Sequence, residues 1–598
     1  MRIRCAALMV FALAAFAISP EVERHFLTAQ QAQAKKDFAT AETEYKEVLK
    51  LDPTFAEAHM NLGLMYQMDG RIPAAIGEFR AALKLKPTLA GANFFLGIDY
   101  AKRGEGAQAI PYLKVTAEQQ PKNVEVLYLL GQAYERLGRD EVAALKKTLP
   151  DSVRGEQLVA ESYAMSNEWP SAVIHFQNAL AKAPSLPELH LELGEVYLHA
   201  GKLKQAQAEF EEELRQHPAS VRAHVRLGEA KLFEGDTKAG VEDWSLALAI
   251  DRVQVEWVLG MRESRLGDAA PEQFPEAIEK RLDAIPEELK DDHTAAAQLA
   301  RSFVAVRKGA AISYAKTPAP ARCNENVAFL MKQERYSALG ACADHIPATM
   351  RLEAVRALFG VGEYDAALRL LDELPARQKL SPDAFYWRAR CYEMLATAVY
   401  VSLYQADPES YRVHELLGHL AETRGDDAKA VEEYRRAIAL GPDSANLHYE
   451  LGHVLWKDNN VSDAREQLEQ ELTKNPNHEG ALIDMGDTYL LEHQPDKALE
   501  YLRQALELDP EDPNIHRDLG TAYTQLKEYA KAEPEFKLAI PADSDGSVHY
   551  KLAKVYQALG QKANAEREFA IYTTMNRDVH EKLEERGQRI SDISRDPE

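Results

Sequence analysis

The chain has 598 residues, 46% hydrophobic and 28% charged, with a mean hydropathy of −0.40, a balance that buries a large core and excludes a polytopic membrane protein or wholesale disorder. Seventy-one lysines and arginines stand against 95 aspartates and glutamates, and the net charge of −24 argues against nucleic acid as a partner. Four cysteines with no Cys-x-x-Cys pair exclude a disulfide-dense mini-domain and a zinc ribbon.

Arg2 and Arg4 precede an uncharged apolar run from Cys5 to Ile18. The run is shorter than the roughly 20 residues that span a bilayer, and it fits the apolar segment of a signal peptide, with Ala15-Phe16-Ala17 as the cleavage site. Residues 1–17 are therefore expected to be removed and the mature chain exported, periplasmic or secreted. Loss of both arginines would leave 69 basic against 95 acidic residues, a charge of −26. The competing reading retains residues 5–18 as an uncleaved membrane anchor. Cys5 precedes the run and so does not resemble a lipoprotein acceptor.

From residue 22 onward a period of 34 dominates. Prolines recur at Pro53, Pro87 and Pro121, at Pro184 and Pro218, and at Pro408, Pro442, Pro476 and Pro510. A small residue keeps the same phase (Gly63, Gly97, Ala160, Gly194, Gly418, Gly452, Gly486), with an alanine twelve residues later and a bulky residue such as Phe79, Phe176, Phe210, Trp244 or Tyr434 four beyond that. Two antiparallel helices per repeat explain the pattern. A mid-helix glycine costs about 1 kcal/mol relative to alanine, so its recurrence marks a close helix crossing. Gly70, Gly104, Gly138, Gly201, Gly235 and Gly560 are predicted to end the first helix in a left-handed cap. The proline follows the second helix, which it cannot extend.

Segments such as MNLGLMYQMDGRIPAAIGEFRAALKLKP and IHRDLGTAYTQLKEYAKAEPEFKLAI make the sequence resemble the tetratricopeptide repeat (TPR) family. The resemblance implies an all-α, right-handed α-solenoid of antiparallel helix pairs with a concave groove. It covers 22–254 as an amino-terminal block and 348–579 as a carboxy-terminal block, about seven pairs each. Two repeats are short: Pro121 to Pro184 spans 63 residues instead of 68, and YWRARCYEMLATAVYVSLYQADP is compressed.

Residues 255–347 fall off register and read as a connector of degenerate helical repeats, with a hinge or specialised insertion as the alternative. YAKTPAPAR within it reads as an extended loop. In an oxidising compartment Cys323 and Cys342 can form a disulfide across this stretch, or both can be small buried side chains, as expected for Cys391. The last helix is expected from about Ala563 to Glu585, its end running into a polar tail assigned to 580–598.

No residue pattern nominates a catalytic, cofactor or metal site. HELLGH at His414–His419 and HYELGH at His448–His453 place their histidines five apart, about 140° from each other around a helix instead of on one face. Their 34-residue repetition is explained by packing. The family's clamp for a terminal carboxylate is matched by Asn61 alone.

The resemblance implies that the second, fifth, ninth and twelfth positions of each first helix face the groove. In the amino-terminal block these include Met60, Leu64, Phe94, Ile98 and Tyr128, an apolar strip. In the carboxy-terminal block they include Arg412, Glu415, His419, Asn446, Tyr449, His453, Trp456, Asp487, Arg517, Tyr550 and Lys554. These residues suit a protein or extended peptide, with Trp, Tyr and Arg as anchors. The expected function is a non-enzymatic scaffold without cofactor or small-molecule substrate, acting in envelope assembly or secretion and touching membrane only through its signal or anchor. The alternatives are a membrane-tethered assembly factor and an enzyme with its site in 255–347.

Overall fold

Each repeat closes because a small residue in its first helix makes room for a bulky one in its second. The structure is a computed structural model describing residues 19–260, 276–307, 327–332, 335–441, 444 and 446–577. In it a Cβ added at Gly63 would lie 2.7 Å from the Phe79 ring, and one at Gly97 2.8 Å from Leu113. Both bulky partners are fully buried. The turn follows the same logic: Gly70, at φ +78°, lets the Arg71 amide donate to the Tyr66 carbonyl at 2.8 Å. Among the described residues every regular element is helical, and no helix is long and apolar enough to cross a membrane. The expected signal segment lies outside the described residues.

A second device shares the period. A histidine in the first helix donates through Nδ1 to a carboxylate nineteen residues later: His25 to Glu44 at 2.6 Å, His59 to Glu78, His190 to Glu209, His414 to Glu433 and His549 to Glu568 at 2.7 Å, and His516 to Glu535 at 2.6 Å. In one repeat the order is reversed, with His175 on Glu156 at 2.9 Å. His448 meets Gln467, also at 2.9 Å. These clasps pin the two helices of a pair beside their hydrophobic crossing, and they account for His414 and His448 as packing residues.

The contacts divide the chain into two units, with the division between Pro408 and Glu409. The amino-terminal unit begins with three helix pairs, Pro20–Ala34 with Phe38–Leu51, Ala56–Met68 with Ile72–Leu85, and Ala90–Lys102 with Gly106–Gln119. The regular alternation then stops. Gly138, expected as a left-handed cap, lies inside one uninterrupted helix of 25 residues, Val124–Thr148. The five residues missing from this repeat are its turn. The compressed repeat near residue 390 behaves alike, as a single helix of 25 residues, Pro382–Ala406. The two long helices pack on each other. Tyr400 lies against Gly131 and donates to Glu135 at 2.9 Å, while Arg388 pairs with Glu141 at 3.0 Å. A buried polar network extends the seam to the next helix, Val153–Met165: Arg154 reaches Asp383, Gln157 donates to Tyr386, and Tyr386 donates to Glu161, each at 2.7 Å.

Residues expected to form a connector extend this unit. After the break at Asp251, where the periodic proline is replaced by Arg252 and the backbone turns extended, helices Glu276–Glu288 and Ala295–Arg307 continue the core. Ile278, Leu282, Ile285 and Phe303 are buried with Trp244. Helices Arg351–Phe359 and Tyr364–Asp372 also belong here, so the fold divides the 348–579 block at residue 408. Cys342 is buried and disulfide-bonded, whereas Cys391 is buried and free. The expected partner Cys323 and the YAKTPAPAR loop lie outside the described residues.

The carboxy-terminal unit is regular. Its first helices are Tyr411–Thr423, Leu447–Lys457, Glu479–Leu491, Pro513–Gln525 and Ser547–Ala558. Their partners are Asp427–Leu440, Val461–Lys474, Pro495–Leu508, Tyr529–Ala539 and a helix over 562–577. The predicted 580–598 tail and the far end of the last helix lie outside the described residues.

Candidate functional site: the concave face of the carboxy-terminal unit

From Leu447–Lys457 onward, successive first helices of this unit stand closer together than successive second helices do, so they line its inner side. Polar ties cross from one first helix to the next: His453 Nδ1 to Asp484 at 2.8 Å, Gln525 to the Leu490 carbonyl at 3.0 Å and Lys551 to Thr521 at 3.2 Å.

Aromatic side chains form a run on this face. The Tyr449 ring lies 4.4 Å from His478 and 5.7 Å from His453, and His453 lies 5.6 Å from Trp456, centroid to centroid. Among the described residues Trp456 Nε1 is buried and finds no hydrogen-bond acceptor. A buried N–H without a partner costs about 1–3 kcal/mol.

Charge surrounds the aromatic run. Arg412 pairs with Glu415 at 2.7 Å. Tyr434 Oη lies 3.0 Å from His419 Nδ1 and 3.3 Å from Glu422, and Lys457 reaches the other Glu422 oxygen at 3.2 Å. Burial, reinforced by the nearby Glu415 and Glu422 carboxylates, pushes the Glu450 carboxyl up to about 7. Asp484 raises His453 above the ordinary imidazole value against the pull of burial. Further along, Arg517 grips Asp518 through two bonds, at 2.8 and 3.1 Å. Burial and then Asp518 push Asp487 up to about 7. At the end, Tyr550 is 40% exposed and lies 5.2 Å from Tyr572, with Lys554 Nζ 5.5 Å from the Tyr550 ring.

Profiles of the tetratricopeptide repeat match residues 26–90, 96–149, 160–219, 191–249, 352–397 and 489–555, and a TPR repeat profile matches 423–459. Together these spans cover more than half of the sequence. The chain belongs to the tetratricopeptide repeat family. The span 96–149 takes in the whole long helix Val124–Thr148, and 352–397 reaches into the first part of Pro382–Ala406. Similar solved structures are MamA from Desulfovibrio magneticus RS-1, 19% identical over 28% of this chain and 96% of that one with a TM-score of 0.27, and TTC0263, a thermophilic TPR protein of Thermus thermophilus, 19% identical over 30% and 99% with a TM-score of 0.26. A comparison with curated proteins finds no match.

Of the groove residues expected from the TPR pattern, Arg412, His419, Tyr449, His453, Trp456, Asp487 and Arg517 are half-buried, Tyr550 and Lys554 are exposed, and all lie on first helices of one unit. In the amino-terminal unit Met60, Leu64 and Phe94 are half-buried, with Met60 against Gly91 and Phe94 at 5.1 Å from Phe95. Ile98 and Tyr128 are buried, at 8% and 2% exposure, and are not offered to a ligand. Tyr128 stands one turn before Gly131 in the long helix, on the side that Tyr400 covers. Position-by-position reasoning missed Glu450, Asp484 and Asp518. They hold the same phase in three consecutive repeats, and their 34-residue spacing was the signal.

Proposed function

We propose that the protein is a non-enzymatic scaffold that captures an extended peptide segment on the concave face of its carboxy-terminal unit, in an exported setting of envelope assembly or secretion. Membership of the TPR family supports a protein-interaction scaffold. The observation that carries the assignment to this face is the run of Tyr449, His453 and Trp456 rings on successive turns of one first helix. An apolar side chain of the peptide lies on these rings. The net charge of −24 favours basic over acidic flanking residues. The apolar start of the sequence supports export.

A photo-crosslinking residue at Tyr449 in living cells tests the groove. One dominant partner adduct is expected, reduced by Trp456→Ala in the same chain and further weakened by Phe94→Glu if the amino-terminal strip contributes. Adduct yields unchanged by Trp456→Ala, with helix content preserved, would remove the carboxy-terminal groove as the capture surface.

A further inference from the structure

The motif HELLGH contains a ligand set different from the one its spelling suggests. His414 turns to Glu433 and is consumed as a helix clasp at 2.7 Å. His419, on another side of the same helix, meets two carboxylates instead. One ligand atom each from His419, Glu422 and Glu450 lies within 4.8 Å of the others. His419 and Glu422 are three apart in Tyr411–Thr423 and therefore neighbours on its surface, and Glu450 comes from the next first helix, Leu447–Lys457.

We propose that His419, Glu422 and Glu450 bind a divalent first-row transition cation on the concave face of the carboxy-terminal unit. The surrounding hydrogen bonds orient the ligands. Tyr434 is fully buried and stands between His419 Nδ1, at 3.0 Å, and Glu422 Oε2, at 3.3 Å. The hydroxyl has one proton, so when it donates to the carboxylate it accepts from Nδ1–H, and the chain His419 to Tyr434 to Glu422 leaves the Nε2 lone pair for a metal. Asn446 donates to Glu450 Oε1 at 2.6 Å and leaves Oε2 available. Imidazole with two carboxylates suits zinc or manganese better than calcium or magnesium, which take oxygen ligands. Three protein ligands leave a coordination position for water or an outside group. Lys457 is the competitor, at 3.2 Å from Glu422, but it is partly exposed and has Asp427 at 3.5 Å as a second carboxylate, so a cation can displace it. This site goes beyond the peptide-capture reading and does not depend on it.

The test is calorimetric titration of the untagged, chelator-stripped full chain with zinc chloride, followed by the visible absorption of the cobalt(II)-loaded protein. One strong equivalent is expected. His419→Ala and Glu450→Gln should each weaken it by at least about tenfold, and Tyr434→Phe by about 10–100-fold with its cobalt band displaced. Lys457→Met should tighten binding several-fold, an outcome that loss of folding cannot mimic. Circular dichroism confirms helix content for each variant. Absence of zinc binding up to millimolar concentration, or equal affinity in wild type, His419→Ala and Glu450→Gln, overturns the proposal.

Discussion

Histidine clasps and glycine crossings recur among the helix pairs, and they respond to different perturbations. Glu209 raises the His190 value above the ordinary imidazole range, with burial opposing and Glu212 and Glu213 adding to the rise. Protonated His190 therefore favours the folded state. Its contribution is complete below the unfolded value of about 6.5 and is lost as pH rises through the higher folded value. The stability gap between wild type and His190→Gln should be larger at pH 6 than at pH 8.5 in urea melts, and a gap that grows with pH would contradict the clasp. The crossing is insensitive to pH. Gly97→Leu drives a branched side chain into Leu113, where even a Cβ would stand at 2.8 Å, and should cost about 1–3 kcal/mol. Unchanged thermal unfolding would rule out the close approach.

At the level of elements, the two 25-residue helices are the departure from a regular solenoid. Tyr400→Ala removes the ring lying against Gly131 together with the bond to Glu135, and should cost about 3–5 kcal/mol by analogy with buried aromatic truncations. Hydrogen exchange should accelerate in 124–148 and 382–406 together, since each covers the other; acceleration in 382–406 alone would count against the pairing. The sequence announced the ordinary repeats because proline, glycine and bulky residues are set by local geometry, each acting within one helix pair. Gly138 shows where that reading stops. It has the phase of a cap, but a cap also needs length for a turn, and the five-residue deficit had removed it. The same limit applies to the groove. The placement of His453, Trp456 and Arg517 on first helices was legible, because the repeat phase sets it. The burial of Ile98 and Tyr128 was not, since the phase does not say what packs over a position. The Tyr434 bridge to His419 was hidden for a related reason, being a contact between two helices that the repeat pattern treats only as core.

For the whole molecule, export and bridging are the properties open to direct measurement. Amino-terminal sequencing of the mature protein should begin at Ile18, and retention of Met1 would favour the anchor. Mass spectrometry of the non-reduced protein should join Cys342 to Cys323, with Cys391 free; a Cys342 peptide linked elsewhere would remove that pairing. The seam between the long helices also bears on time. In a regular repeat array each new pair docks on the one made just before it. Here Tyr400 meets Glu135 across 265 positions, a delay of roughly 10–50 s at about 5–20 residues/s of synthesis. Through that interval Gly131 and its neighbours present an uncovered face while later pairs are already able to dock. The middle of the amino-terminal unit is thus the last of its parts to be sealed, and a chain ending before residue 382 would carry that face open permanently, as a surface for chaperones or for its own aggregation.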